Sequence, residues 1–316
     1  MDILSKLGFK NIEYDEMQIV DEMSMIPLLS DGLSKNISSP ENIQFFEVGT
    51  YGSMEFKNAD SNTNNYGIVP SNTMILNNKV QVQDHAMIEA GVVKAGTYKN
   101  FSNACCVQEK QHGFLNGTNK NNEYDILPLG LRRAATREKL RQDCNCGKLW
   151  PAIREWLKGF NFMESYAHLE YFFTPFKKQL DDFVAEFEPV KNQIGAIILF
   201  GNMLAGIEIM PTIEHWNHYW KWLVRGCYGA ELLKIREIGQ IELKSISIPE
   251  MPFDSINNYL NMLKDTILNS LNLNFNELGS KNYGENQLKH KLIKIESGGG
   301  DLILENNKPI YLSCVL

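Results

Sequence analysis

The chain has 316 residues, 43% of them apolar, a net charge of −7 and a pI near 5.5. That length allows a substantial buried core in one large or two modest domains, and the acidic balance argues against a general electropositive footprint for nucleic acid. No apolar run approaches the roughly 20 residues a membrane helix needs, and the opening MDILSKLGFKNIEYDEM carries carboxylates where a signal peptide has a basic start and an apolar middle, so the expected location is the cytoplasm with no membrane partner.

From Met1 to Leu127, short apolar runs of period 2, among them IQFFEVG, SMEFKN, YGIVP, HAMIEAGVV and FSNACCVQ, predict a β-rich part. Turns are expected at NADSNTNN (Asn58 to Asn65) and NGTNKNN (Asn116 to Asn122), because Asn, Asp and Gly tolerate left-handed backbone and bond their own main chain. Residues 128–189 read as a helical part. Arg132, Arg133, Arg137 and Arg141 follow the Pro128-Leu129-Gly130 turn along one helical side. Pro151 sits as a first helical residue before Ile153, Trp156, Leu157 and Phe160. Thr174-Pro175 reads as N-cap and first residue of a helix with Phe176, Leu180, Phe183, Val184 and Phe187 on its apolar face.

Residues 190–316 read as an α+β part. GAIILFGNMLAGIEIMP predicts two strands joined at Gly201-Asn202. EHWNHYWKWLVRGCYGAELLKIRE predicts a long helix, interrupted or tightly packed near Gly226 and Gly229. A helix over Ile256 to Leu271, an Asn-, Lys- and Gly-rich loop over Asn272 to Gln287, a Gly-rich turn at Ser297 to Asp301 and terminal strands in KLIKIES, DLILEN and PIYLSCVL complete the chain. With no internal repeat and no linker-like boundary, the expected fold is a single α+β unit over 1–316, an antiparallel β-rich core with a layer of helices.

The densest collection of chemical side chains is QVQDHAMIEAGVVKAGTYKNFSNACCVQEKQHGF. It holds Gln81, Gln83, Asp84 and His85 in one cluster, and Cys105, Cys106, Gln108, Glu109, Gln111 and His112 in another. If the strands Ala86 to Val93 and Tyr98 to Gln108 form a hairpin, the clusters meet at its open end. Gln81 and Gln83 share one strand face, as do Cys106 and Gln108, while Glu109 falls with Cys105 and Val107. Amides on alternate positions suit a base edge, a ribose diol or an amide ligand; a polar sheet face is the plain reading. Only one of Cys105 and Cys106 can face a site, either as a nucleophile beside His85 or His112 or as a buried thiol. A Glu/His/Asp group could do acid–base work, with Glu109 or Asp84 as base and His85 or His112 as acid, or hold a divalent metal, but no spacing forms a metal motif.

Two further groups are candidates. Beside Glu214, His215 and His218 are three apart and would share a helical face, which permits metal binding, though among Trp216, Tyr219, Trp220 and Trp222 they read more simply as packing. Arg132 and Arg133 could clamp a phosphate, or belong to a solvated basic face. The six cysteines fit neither a disulfide framework nor a C-x-x-C zinc site, so reduced thiols are expected.

In order along the chain, IPLL (Ile26 to Leu29), Glu47, MEFKN ending at Asn58, KVQVQDHAM, NACCVQEKQHGF, LWPAI, the Gly195 to Glu208 hairpin, RGCYGAELL and YLSCVL resemble the ARPP domain family. That family is named for association with ADP-ribosylglycohydrolases and rhodanese-phosphatase-superfamily proteins. Its central motifs have the forms k-Q-n-R and v-s-C-v-E-x-G-r-W. This chain departs from them, with Asp84 and His85 after Gln83, Cys106-Val107-Gln108-Glu109 where the family has C-v-E, and no Arg or Trp directly after Gly113.

The resemblance implies a small nucleotide-derived ligand related to ADP-ribose or NAD, in NAD or ADP-ribose metabolism or in phage-defence signalling. No cofactor is expected, and self-association stays open. The expected ligand-binding residues are Glu47, Gln81, Gln83, Asp84, His85, Cys106, Gln108, Glu109, Gln111, His112, Arg132 and Arg133. A hydrolase or transferase on the same ligand class, or a protein-interaction or viral accessory module, are the alternatives.

Overall fold

The period-2 runs become strands and the 3.6-period runs become helices, giving an α+β fold in which, among the described residues, every ladder between strands is antiparallel. The computed structural model describes residues 3–46, 52–76, 84–102, 104–109, 123–140, 149–160, 162, 166–201, 203–238, 262, 264–268, 273–284, 287–295 and 298–316. Contacts divide the chain into two compact units. One comprises Met1–Lys35, Glu186–Asn217 and Ile241–Leu316; the other comprises Asn36–Ala185 and His218–Gln240.

The first unit is built on a nine-stranded sheet. Its path runs Glu13–Tyr14, Met23–Leu29, Gln193–Phe200, Met203–Ile209, Lys308–Val315, Gly298–Glu305, Leu288–Ile295, Phe275–Tyr283, and Gln18–Val20 also pairs with Met23–Leu29. Alternate residues on one face, among them Ile207, Ile209, Leu302, Leu304 and Leu312, pack with Ile3, Leu4 and Leu7 in one core. Fully burying each such side chain is worth about 1.5–3 kcal/mol. The expected hairpin forms, with Phe200 opposite Met203 and Gly201 at φ +56°.

Two expectations here are corrected. The segment expected as a loop over Asn272 to Gln287 contains the strand Phe275–Tyr283, paired with Leu288–Ile295. Its side chains are mostly exposed, because an edge strand satisfies its backbone on one side and keeps polar groups in water to discourage further pairing. The expected Gly-rich turn also begins a strand, Gly298–Glu305. A Cβ on Gly300 would lie 1.9 Å from the Ser313 carbonyl oxygen, so the glycine serves close approach to the neighbouring strand.

The second unit carries smaller sheets: Tyr98–Phe101 with Met54–Asn58 and Ile43–Phe46; Cys105–Cys106 with His85–Ala86, Thr73–Leu76 and Glu123–Ile126; and Tyr66–Val69 with Gly91–Lys94. The predicted turn at Asn58 to Asn65 is held by Asp60, which accepts from Asn62 N (2.8 Å) and Asn65 Nδ2 (3.0 Å). Helices Leu129–Leu140, Leu149–Lys158 and Glu170–Ala185 follow. The last begins earlier than Thr174-Pro175 predicts and takes Pro175 inside. Burial of Phe172 and Phe173 and their N–H bonds to the Leu169 carbonyl start the helix a turn sooner. The proline then forgoes only one backbone bond near the helix start.

The predicted interruption near Gly226 is a π-helical stretch, Leu223–Gly229, between the helices Ile213–Trp222 and Ala230–Ile238. It closes over Asp125 of the strand Glu123–Ile126. Asp125 Oδ2 accepts from Arg225 Nε at 2.8 Å and Oδ1 from Ile126 N at 3.0 Å, while Arg225 Nη1 also donates to Asp181 at 3.0 Å. A Cβ on Gly226 would stand 1.8 Å from Asp125 Oδ1. Burial pushes the Asp125 carboxyl up to about 7, against the pull of Arg225.

Candidate functional site

The site is set by one pair of short strands. His85–Ala86 and Cys105–Cys106 run antiparallel, with Cys106 opposite His85 and Cys105 opposite Ala86. Opposed residues share a face, so the two cysteines part company. Cys105 and Ala86 enter an apolar cluster with Met74, Val107, Leu127 and Leu131. On the other face, Cys106 Sγ lies 3.1 Å from His85 Nε2, and Gly52 N donates to the same nitrogen at 3.2 Å. Both side chains are buried.

The two clusters therefore meet where the sequence predicts, but not through a continuous hairpin. Gly91–Lys94 pairs instead with Tyr66–Val69, and Tyr98–Phe101 with Met54–Asn58. The reason is packing: Met54, Phe56, Val69, Val93 and Phe101 share one core, which each arm reaches only by taking its own partner strand.

Beyond Cys106 the chain is clamped. Gln108 Oε1 accepts from Asp84 N at 3.3 Å, its Nε2 donates to Glu170 at 3.4 Å, and its backbone bridges His168. Val107 N donates to the Asp84 carbonyl at 2.9 Å. The helix Leu149–Lys158 presents Trp150 and Arg154, an i,i+4 pair on one face. Trp150 Nε1 donates to the Cys106 carbonyl at 2.9 Å, and Arg154 forms an ion pair with Glu109 Oε2. The same oxygen accepts from Ala167 N at 3.0 Å.

Burial raises the Glu109 carboxyl, but Arg154, the Ala167 N–H and His168 together outweigh it and hold the group below its ordinary range. A carboxylate so held is a poor general base at neutral pH; its geometry makes it a strut between strand and helix. Glu109→Gln and Arg154→Met, singly and together, are expected to show a coupling of about 1 kcal/mol in a double-mutant cycle of urea unfolding, as a partly exposed pair should. Strictly additive losses would remove the strut.

Arg132 is interior, 1% exposed, with Nη1 directed at Cys227 Sγ at 3.2 Å, so it belongs neither to a solvated face nor to an open anion site. Burial lowers the Arg133 guanidinium, opposed by Glu231. His215 is buried beside Thr212 Oγ1 at 2.8 Å, and the same hydroxyl accepts from His215 N at 3.2 Å, as at a helix start. His218 lies edge-on to Trp222. Glu47, Gln81, Gln83, Gln111 and His112 lie outside the described residues. Among the described residues, no group of three or more His, Cys, Asp or Glu could hold a metal ion, and no helix is long and apolar enough to cross a membrane.

Gly52, Arg154 and His168 carry no motif in the sequence, and Trp150 enters there only within LWPAI. The helical spacing of Trp150 and Arg154 was the one available signal.

A family model described as the ARG and Rhodanese-Phosphatase-superfamily-associated Protein domain, ARPP-1, matches residues 79–282. The chain belongs to the ARPP-1 family. The ARPP-1 match contains Asp84, His85, Cys106, Gln108 and Glu109 together with the clamping helix, and the family is named for its association with ARG and rhodanese-phosphatase-superfamily proteins. No curated protein and no solved structure matches it. Within this segment, the guanidinium on Glu109 comes from Arg154.

Proposed function

We propose that this ARPP-1 protein binds a small nucleotide-derived molecule of the ADP-ribose class, with Asp84, His85 and Cys106 at the centre of the site. The observation that supports it most is the register that sets Cys106 opposite His85 inside a family associated with ADP-ribose-related proteins. The clamp of Trp150, Arg154 and Glu109 behind that strand preorganises the site, which lowers the ordering cost of binding. In this reading, Glu47, Gln81, Gln83, Gln111 and His112 supply further donors and acceptors for ribose or base, and the protein acts in ADP-ribose metabolism in the cytoplasm.

The test is a thermal-shift panel of ADP-ribose, NAD, cyclic nucleotides and simple nucleotides, with chromatography of the recovered ligand. At 100 times Kd, a bound ligand adds about 2.7 kcal/mol, a rise of several degrees in Tm. A shift with ADP-ribose recovered intact is the expected result. Turnover would move the reading to a hydrolase or transferase with Asp84 or His85 as base, and silence across the panel would leave a protein-interaction module.

A further inference from the structure

We infer that Cys106 is a nucleophile and that His85 is the base that takes its proton. Most buried cysteines are small apolar fillers, and Cys105 is one, packed among Met74, Ala86 and Val107. Cys106 differs in what its sulfur meets: an imidazole nitrogen at 3.1 Å, a group able to accept a proton. Cys227 meets a guanidinium at 3.2 Å, which has no acceptor site, and Cys227 is fully buried where Cys106 retains 6% exposure.

The direction of proton transfer follows from a third group. Gly52 N–H donates to His85 Nε2, so this nitrogen is the acceptor and the ring proton sits on Nδ1. The thiol is therefore the donor in the Cys106–His85 contact. The sulfur is also held in place, because the Cys106 carbonyl accepts the Trp150 indole N–H and strand pairing fixes His85 opposite. A nucleophile in contact with its base on a rigid support is the arrangement covalent catalysis needs.

The step balances without a redox partner. The thiol proton passes to His85 Nε2, Sγ forms a bond to an electrophilic carbon of the ligand, and the bond from that carbon to its leaving group breaks. The leaving group departs with the electron pair and receives the proton from Nε2. Water then attacks the same carbon: its oxygen forms the new bond while one of its protons passes to His85 Nε2, the carbon–sulfur bond breaks with its electron pair on Sγ, and Sγ takes the proton back from Nε2 as the thiol. ADP-ribose itself, which the panel returns intact, is not the electrophile; that the electrophile is another nucleotide-derived compound rests on the reading above, and the nucleophile itself does not.

The experiment uses the full chain and iodoacetamide, with the alkylated sites resolved by peptide mass spectrometry. Its C–I bond breaks as the S–C bond forms, and iodide leaves. In the native protein at pH 7, Cys106 is expected to be labelled at least tenfold faster than the adjacent Cys105, an internal reference that needs no variant. His85→Asn is expected to slow Cys106 at least tenfold and to change its pH–rate profile while leaving Cys105 unaltered; His85→Gln is the second variant should Asn not fold. Equal labelling of the two cysteines, or a Cys106 rate indifferent to His85, would overturn the inference. Because the reagent carries no nucleotide, a fast Cys106 with a silent nucleotide panel keeps the nucleophile and removes the ligand, and an inert Cys106 with a shifted Tm does the reverse.

Discussion

Gly226→Ala should lower the unfolding free energy by about 3 kcal/mol or more, the range of severe overpacking. The added methyl would meet Asp125 Oδ1 at 1.8 Å, its carboxyl carbon at 2.4 Å and the Ile126 carbonyl oxygen at 2.7 Å. None of these can move cheaply, because Asp125 is fixed by Arg225 and by Ile126 N and the carbonyl is strand backbone. Gly279→Ala is the control: nothing lies within 4 Å of its Cβ, and it should change the urea midpoint little. Adding Asp125→Ala to Gly226→Ala should recover part of the loss, not all, since the Ile126 carbonyl remains. Equal effects of the two alanine substitutions would mean that the π-helical stretch does not close over Asp125.

The second large effect is on pH dependence. Asp125 has its carboxyl raised from 3.8 to about 7 by burial, even with Arg225 beside it. Between those values the folded chain holds a proton that the unfolded chain has released, so stability falls as pH rises through this window and the contribution is lost above about 7. A shift of about three units corresponds to a few kcal/mol. Asp125→Asn removes the titration while keeping the shape and an acceptor for Arg225. Urea midpoints at pH 5, 6, 7 and 8 should show wild type losing stability relative to Asp125→Asn with rising pH; parallel curves would sink the assignment. Glu109 acts with the opposite sign. Its lowered carboxyl gives stability that is present above its unfolded value near 4.5 and lost as pH falls.

Local chemistry was legible in the sequence where it is set by neighbours. The hairpin closing at Gly201, the Asp60 turn and the packing demand at Gly226 all appear as residue types at fixed offsets, and all are found. Only part of the Cys106–His85 meeting was legible. Alternation placed one cysteine on a site face, but which one depended on strand register, and the arms between proved to pair elsewhere because Val93 and Phe101 seek a shared core.

The Arg154–Glu109 pair joins a helix to a strand end and has no local signature. The strand Phe275–Tyr283 reads as a loop because an edge is selected for solvation rather than for apolar alternation. The division into two units left no compositional mark either, since one boundary falls after Asn217, inside the helix Ile213–Trp222.

That interleaving sets an order of assembly during synthesis. The unit made of Asn36–Ala185 and His218–Gln240 has all its segments once residue 240 has emerged. The other contains the early strand Met23–Leu29, whose partner Gln193–Phe200 is made far later, and its sheet stays open beside Met203–Ile209 until residues 308–315 arrive. A ribosome stalled between these points would display a finished unit beside an unclosed sheet. Neither unit is a continuous stretch that truncation could isolate.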